Sequence, residues 1–194
     1  MRERERVASD VNESVIMMWK GLQDGSFWPP SCVSKEEHRR LRYDENPSAL
    51  KGYAGTVCSQ MGYWFGGLIK YSEGGRKNQG DLGDRHRNGI RERLPRLRGV
   101  SFYACSYEAW SHVEDMLIYC DPPYAGTSAG VYESDDFDSE VFWEWCRKMS
   151  KRNSVFVSEQ EAPKDFKSVW SMKRVRTGVL GAEKSLTENL FTCR

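Results

Sequence analysis

The chain has 194 residues, a formal net charge of +1, 39% hydrophobic and 29% charged residues, which suits one folded core, or one core with a large insertion, rather than two ordinary domains. That balance describes a soluble globular protein rather than a disordered one, and no apolar run approaches the roughly 20 residues that a membrane helix needs. The six cysteines (Cys32, Cys58, Cys105, Cys120, Cys146, Cys193) include no Cys-x-x-Cys pair and have only three histidines to help them, so packed, reduced thiols are expected and no metal site. Charge is unevenly placed. Lys70 to Arg98 holds nine Lys/Arg against four Asp/Glu, whereas Glu133, Asp135, Asp136, Asp138 and Glu140 form an acidic cluster. The first stretch is suited to facing a polyanion and the second to an ordinary solvated face.

In chain order, Met1-Arg-Glu-Arg-Glu-Arg6 alternates charge and lacks the apolar middle of a secretory signal, which points to the cytoplasm. Val7-Ala8-Ser9 reads as a short buried strand ending at Asp10, and Asn12 to Gln23 places Val15, Ile16, Met18, Trp19 and Leu22 at helical spacing. Gly25 and Pro29-Pro30 then break the helix, and periodicity is lost over much of the next seventy residues. Ser34 and Glu37 form a capping-box pattern that opens a short helix. The glycines around Gly52, Gly62, Gly74 and Gly83 make the remainder look like an inserted subdomain of turns and short elements. Its aromatic run Tyr63-Trp-Phe65 suits buried packing better than wedging between bases.

Regular signals return with a β-rich run over Val100 to Cys105, a short helix near Tyr107 to Val113, and the strand Met116 to Cys120. A helix follows whose start is marked by Asp138 as cap, with Phe137 and Phe142 as hydrophobic staple, and which runs to about Lys151. Ser154 to Ser158 is a strand, and Phe166 to Trp170 a short helical turn. Strands alternating with helices give an α/β fold with a mainly parallel sheet covered on both faces.

The segment that carries chemistry is Leu117-Ile-Tyr-Cys-Asp-Pro-Pro-Tyr124, an apolar strand that delivers an acid, two prolines and an aromatic to its carboxyl end, where open α/β sheets bind ligands. Modifying an exocyclic amine requires acceptors that hold the NH₂ group. The Asp121 carboxylate and the Pro122 carbonyl can both accept, the Pro122-Pro123 step stiffens the loop, and Tyr124 can stack on a base face. The plain alternative is a strand-ending diproline turn with a surface acid. Asp10 likewise reads either as a ligand or as the cap of the following helix.

Asp-Pro-Pro-Tyr is the signature of amino-group methyltransferases, and several other segments resemble the adenine-N6-specific DNA methyltransferases of bacteria and their phages. Arg6-Val-Ala-Ser-Asp10 looks like the family's second strand, whose terminal acid holds the cofactor's ribose. Phe102-Tyr-Ala-Cys-Ser-Tyr107 is similar to the segment before the catalytic strand, Val155-Phe-Val-Ser-Glu159 and Ala162-Pro163 to the strand and loop after it, and Glu188-Asn-Leu-Phe191 to the closing strand. The resemblance implies a Rossmann-like methyltransferase sheet, S-adenosylmethionine as cofactor, double-stranded DNA as partner, and methyl transfer to adenine N6. It implies that Asp121, Pro122, Pro123 and Tyr124 are catalytic, and that Asp10, Ser106, Tyr107 and Asp121 touch the cofactor, with serine at 106 where many relatives have aspartate. Residues 1–26 and 99–194 would form the catalytic core. Residues 27–98 would form the inserted target-recognition region, with Arg76, Lys77, Arg85, Arg87 and Arg91 touching DNA.

These residues contain no Phe-x-Gly-x-Gly segment, the loop with which relatives approach the methionine part of the cofactor, and no strand leading into it. In the family's sheet that strand lies between those ending at Asp10 and Asp121, so two unpaired strand edges are expected here. The other readings are a silent DNA-binding remnant, one half of a split enzyme completed by a second chain, or methylation of RNA or of a protein amide.

Overall fold

A computed structural model of the chain describes residues 5–69, 79–123, 137–177 and 183–193. The chain is mixed α/β, and its contacts divide it into two compact units, one within Met1–Tyr107 and the other from Glu108 onward. Among the described residues no helix is long and apolar enough to cross a membrane.

In the first unit, strand β1 (Arg6–Asp10) leads into helix α1 (Glu13–Asp24). Asn12 caps that helix by accepting from the Val15 amide at 3.2 Å, and Gly25 ends it in the left-handed region. Helix α2 (Lys35–Arg42) starts at Ser34, whose hydroxyl accepts from the Glu37 amide at 3.0 Å. Helix α3 (Ala49–Thr56) follows. It crosses α1 closely: a Cβ at Gly52 would lie 2.7 Å from the Ser14 carbonyl carbon and 3.1 Å from Met18 Cβ. Met18 and Leu22 of α1 share one core with Val33, Leu41, Tyr53, Ala54, Cys58 and Phe65. Residues of α2 and α3 therefore pack with α1 in one core. Phe65 is buried, with Trp64 and His38 edge-on at 4.9 and 5.0 Å, so the aromatic run packs inward.

Within the basic, glycine-rich part of the 27–98 stretch, the described residues from Gln79 onward are not a series of turns. Residues Gln79–Leu97 form helix α4. Ile90 and Leu94, one turn apart, pack against the shared core, and burial of that stripe outweighs the glycines' poor helix propensity. The last carbonyls of α4 are held from outside, where Arg6 donates to Arg96 O at 3.1 Å and Gln23 bridges the carbonyls of Leu97 and Val100. Strand β2 (Val100–Ala104) then pairs in parallel with β1, with Asp10 opposite Ala104.

The second unit contains strand β3 (Leu117–Cys120), helix α5 (Ser139–Ser150), and strands β4 (Ser154–Glu159), β5 (Lys167–Thr177) and β6 (Glu183–Thr192). The sheet order is β3-β4-β6-β5, with β3 parallel to β4 and β6 antiparallel to both of its neighbours. In place of the one mainly parallel sheet expected from the sequence, the described strands form two small sheets, the β1–β2 pair parallel and the four-stranded sheet mixed. The α5 cap is as expected: Asp138 accepts from the amides of Glu140 and Val141, and the Phe137 and Phe142 rings lie 5.4 Å apart. Phe142, Trp145, Cys146 and Met149 of α5 are buried, as are Val155 and Val157 of β4.

Phe166 to Trp170 was expected to be helical, but from Lys167 it belongs to β5. Between Ser168, opposite Phe191, and Trp170, opposite Leu190, the ladder takes in an extra residue, Val169. This bulge breaks the two-residue alternation by which a strand is recognised.

Asn153 holds the start of β3 against β4. Its Oδ1 accepts from Met116 N at 3.0 Å, while its Nδ2 donates to Val113 O at 2.9 Å and Met149 O at 3.2 Å. We expect Asn153→Ala to destabilise the second unit by about 2–3 kcal/mol, the sum of roughly three net hydrogen bonds, measured by urea denaturation. A midpoint within error of the parent would show that the clamp contributes nothing.

Candidate functional site

The side chains of interest lie at the carboxyl ends of the two parallel strand pairs, one pair in each unit. In the first unit Asp10 ends β1, and Ser106 and Tyr107 follow β2 two residues beyond it, so the in-register pairing of β1 with β2 gathers all three on one edge. Asp10 is not the cap of α1, because Asn12 is. Its Oδ1 instead accepts from the Asn12 amide at 2.8 Å, and burial holds its carboxyl above the ordinary carboxylate range despite that bond. Asp10 borders a cleft of about 210 Å³ whose apolar walls include Val15, Ile16, Trp19 and Phe102.

In the second unit Asp121 leaves β3 exposed at the sheet's edge, Pro122 is buried and Pro123 half-buried. Tyr124, like Arg76 and Lys77, lies outside the described residues. Strand alternation sorts the neighbours of Asp121 by face. Cys120 is half-buried opposite Val157, and its thiol lies close enough to Cys146 of α5 to push that thiol up, so that face of β3 is turned toward the helix. Leu117, Tyr119 and Asp121 lie on the other face, where Leu117 and Tyr119 are 70% and 60% exposed. Continuing the β3/β4 register places Asp121 level with Ser158, which pairs with Leu190, and Glu188 lies two residues along β6 on the same face. Tyr119 hydrogen-bonds Ser158.

The Asp121 carboxyl is pushed up, first by desolvation and then by the negative charge of Glu188. The sequence pattern missed Glu188 as a neighbour of the acid because the two are 67 residues apart and meet only through the antiparallel return of β6. Glu159, on the helix-covered face, is buried and accepts from the Gln160 amide at 2.8 Å.

The basic residues on α4 do not share one face. Arg87 and Arg91 are one turn apart, while Arg85 lies about 200° round the helix from Arg87. Arg87 pairs with Asp84, and Arg91 donates to Asn88 Oδ1 at 2.9 Å. The Arg91 guanidinium also lies 5.4 Å from the ring of Trp28, an exposed aromatic that the sequence pattern had left unremarked.

No protein-family model matches the chain, and no curated protein matches it.

The raised carboxyl of Asp121 has a consequence for stability. Its pKa in the fold is above the value near 3.8 that it has when unfolded. Its contribution is therefore fully present below that value and is lost as the pH rises and the group ionises. At pH 7 the ionised side chain favours the unfolded chain, so we expect Asp121→Asn to raise the melting temperature at pH 7 and to give no such gain at pH 3. Calorimetric scans at the two pH values check this, and a lower melting temperature at pH 7 would contradict it.

Proposed function

We propose that this chain carries the amine-binding and DNA-reading parts of a DNA adenine N6-methyltransferase that uses S-adenosylmethionine. The observation that carries the reading is the end of β3, where an apolar strand paired in parallel delivers Asp121 and the stiff Pro122-Pro123 step to the carboxyl edge of its sheet. On this reading the strands belong to a Rossmann-like methyltransferase sheet, residues 27–98 are the target-recognition region, and the protein acts in the cytoplasm.

S-adenosylmethionine would supply an electrophilic methyl group. Asp10 suits its nucleoside part, as a strand-end carboxylate beside a cleft with apolar walls. At about 210 Å³ that cleft is smaller than the roughly 300 Å³ of the smallest whole-ligand pockets, so it suits part of such a molecule. Ser106 and Tyr107 are assigned beside it by the family resemblance.

The chain's own residues account for the handling of the amine. An adenine turned out of the duplex presents two N–H donors, which the Asp121 carboxylate and the Pro122 carbonyl accept. Pro122 has a fixed φ and biases Asp121 before it toward extended backbone, which helps to hold the nitrogen lone pair in one direction. Tyr124 is assigned to stack on the base, worth about 1–3 kcal/mol. Arg87 and Arg91, together on one face of α4, are suited to the phosphate backbone. The basic character of this region favours DNA over a protein amide.

A second reading, one half of a split methyltransferase, has its own support. Among the described residues β1 pairs with β2 alone and β3 with β4 alone, and Leu117 and Tyr119 on one face of β3 are exposed, whereas parallel strands are ordinarily covered on both faces. A second polypeptide bearing a Phe-x-Gly-x-Gly loop would then complete the enzyme.

The test follows transfer of labelled methyl from S-adenosylmethionine to duplex DNA. We expect the label at adenine N6, with Asp121→Ala lowering transfer at least about a hundredfold and leaving DNA affinity largely unchanged. Persistent transfer in that variant would remove Asp121 from the mechanism. Replacing Arg87 and Arg91 together by Ala is expected to flatten the slope of log affinity against log salt by about 2, and an unchanged slope would place both on an uninvolved surface. Transfer that begins only when a chain with the glycine loop is added decides for the split enzyme.

A further inference from the structure

Resting on the proposed binding of DNA, we infer that Trp28 is a stacking platform for an unpaired base of the strand that α4 contacts, with the Arg91 guanidinium beside it to meet that nucleotide's phosphate. Trp28 lies in the elbow that follows α1. Phe27 before it packs against the shared core and donates its amide to Gly21 O at 3.0 Å, and Pro29 after it is fully buried. A residue that precedes proline is also held to extended backbone. The chain is thus anchored on both sides of Trp28, while the indole itself stays 42% exposed. A rigid side chain on a fixed backbone gives up little entropy when a flat partner settles on it.

The charge beside the ring comes from α4. The Arg91 guanidinium lies 5.4 Å from the ring centroid and donates to Asn88 Oδ1 at 2.9 Å, a neutral acceptor that orients the cation without cancelling its charge. Arg87, one turn earlier, shares its charge with Asp84, so Arg91 is the cation on which the arrangement depends. The exposed Tyr43 has an arginine too, Arg42 at 5.9 Å, but Asp44 and Glu45 follow it directly, a poor setting for a phosphate.

An aromatic face beside a cation matches a nucleotide, which carries a flat base beside an anionic phosphate. Every base has a π face, so the site selects for an accessible base and not for a sequence. A base inside a duplex has both faces occupied by its neighbours, so the occupant is one that has left the stack. Tyr124 is assigned to the adenine that is methylated, and the base at Trp28 is a different one.

The experiment measures the affinity of the full chain for a duplex carrying one bulged 2-aminopurine and for the same duplex without the bulge, and reads the fluorescence of the analogue alongside. We expect the bulged duplex to bind more tightly and its fluorescence to be quenched on binding. Trp28→Ala is expected to weaken binding of the bulged duplex about tenfold and to leave the paired one nearly unchanged, while Trp28→Tyr, which keeps an aromatic face, recovers most of the loss. An equal loss for both duplexes in Trp28→Ala assigns Trp28 to packing the elbow against α4 and overturns the inference, as does a Trp28→Tyr that recovers nothing. A parent that binds both duplexes alike and leaves the fluorescence unquenched also overturns it, and that readout requires no variant to fold. The free nucleotide of 2-aminopurine bound as tightly as the bulged duplex places a mononucleotide at the ring and overturns a strand as the occupant. Methyl transfer with no Trp28-dependent binding overturns the stacking site alone. Trp28-dependent binding of the bulged duplex without methyl transfer overturns the methyltransferase reading and leaves the stacking site standing.

Discussion

The second unit depends on the Asn153 side-chain amide. One residue between α5 and β4 accepts from Met116 N and donates to Val113 O and Met149 O, tying the end of the helix and the start of β3 to the start of β4. The ladder that follows, from Leu117 opposite Ser154 to Cys120 opposite Val157, inherits its register from that clamp. A slip by one residue would turn Asp121 toward α5 and bring Cys120 to the exposed face. The position of the acid is therefore decided some 17 Å away along the strand, at about 3.4 Å per residue.

With the register fixed, the same sheet sets the electrostatics of its rim. Because β6 runs antiparallel to β4, a residue near its middle reaches the edge where β3 ends, and Glu188 faces the same solvent as Asp121. Two carboxylates on one face work against folding at neutral pH. The apolar side holds the unit together instead, with Phe142, Cys146 and Met149 packed near Val155 and Val157. The helix-covered face supplies cohesion and the exposed face keeps polar groups in a costly arrangement, a division common where a surface binds something.

What could be read in the sequence was what local chemistry determines. The Ser34 and Asp138 caps, the Phe137–Phe142 staple, the β1–α1 corner and the strand leading to Asp121 depend on residues within a turn or so of one another. Helix α4 was hidden because its glycines argue against a helix and only Ile90 and Leu94, packed on a core drawn from other helices, argue for it. Strand β5 was hidden by one extra residue in its ladder. At the site, Asp10 and Asp121 were visible as acids ending strands, although only the fold shows that Asn12 and not Asp10 caps α1. Glu188 was visible only as part of a strand, since its relation to Asp121 arises from sheet order.

The Val169 bulge has a consequence beyond hiding a strand. β5 is the outermost strand of its sheet, and a long, regular outer strand offers its row of backbone donors and acceptors to any other extended chain. An extra residue near the start of β5 twists that row out of line, and Lys167 and Lys173 place exposed charge along it. A second molecule approaching edge to edge would meet a bent template and a like charge. The irregularity that obscures β5 in the sequence thus also interrupts, near its start, the regular row that this border would otherwise present.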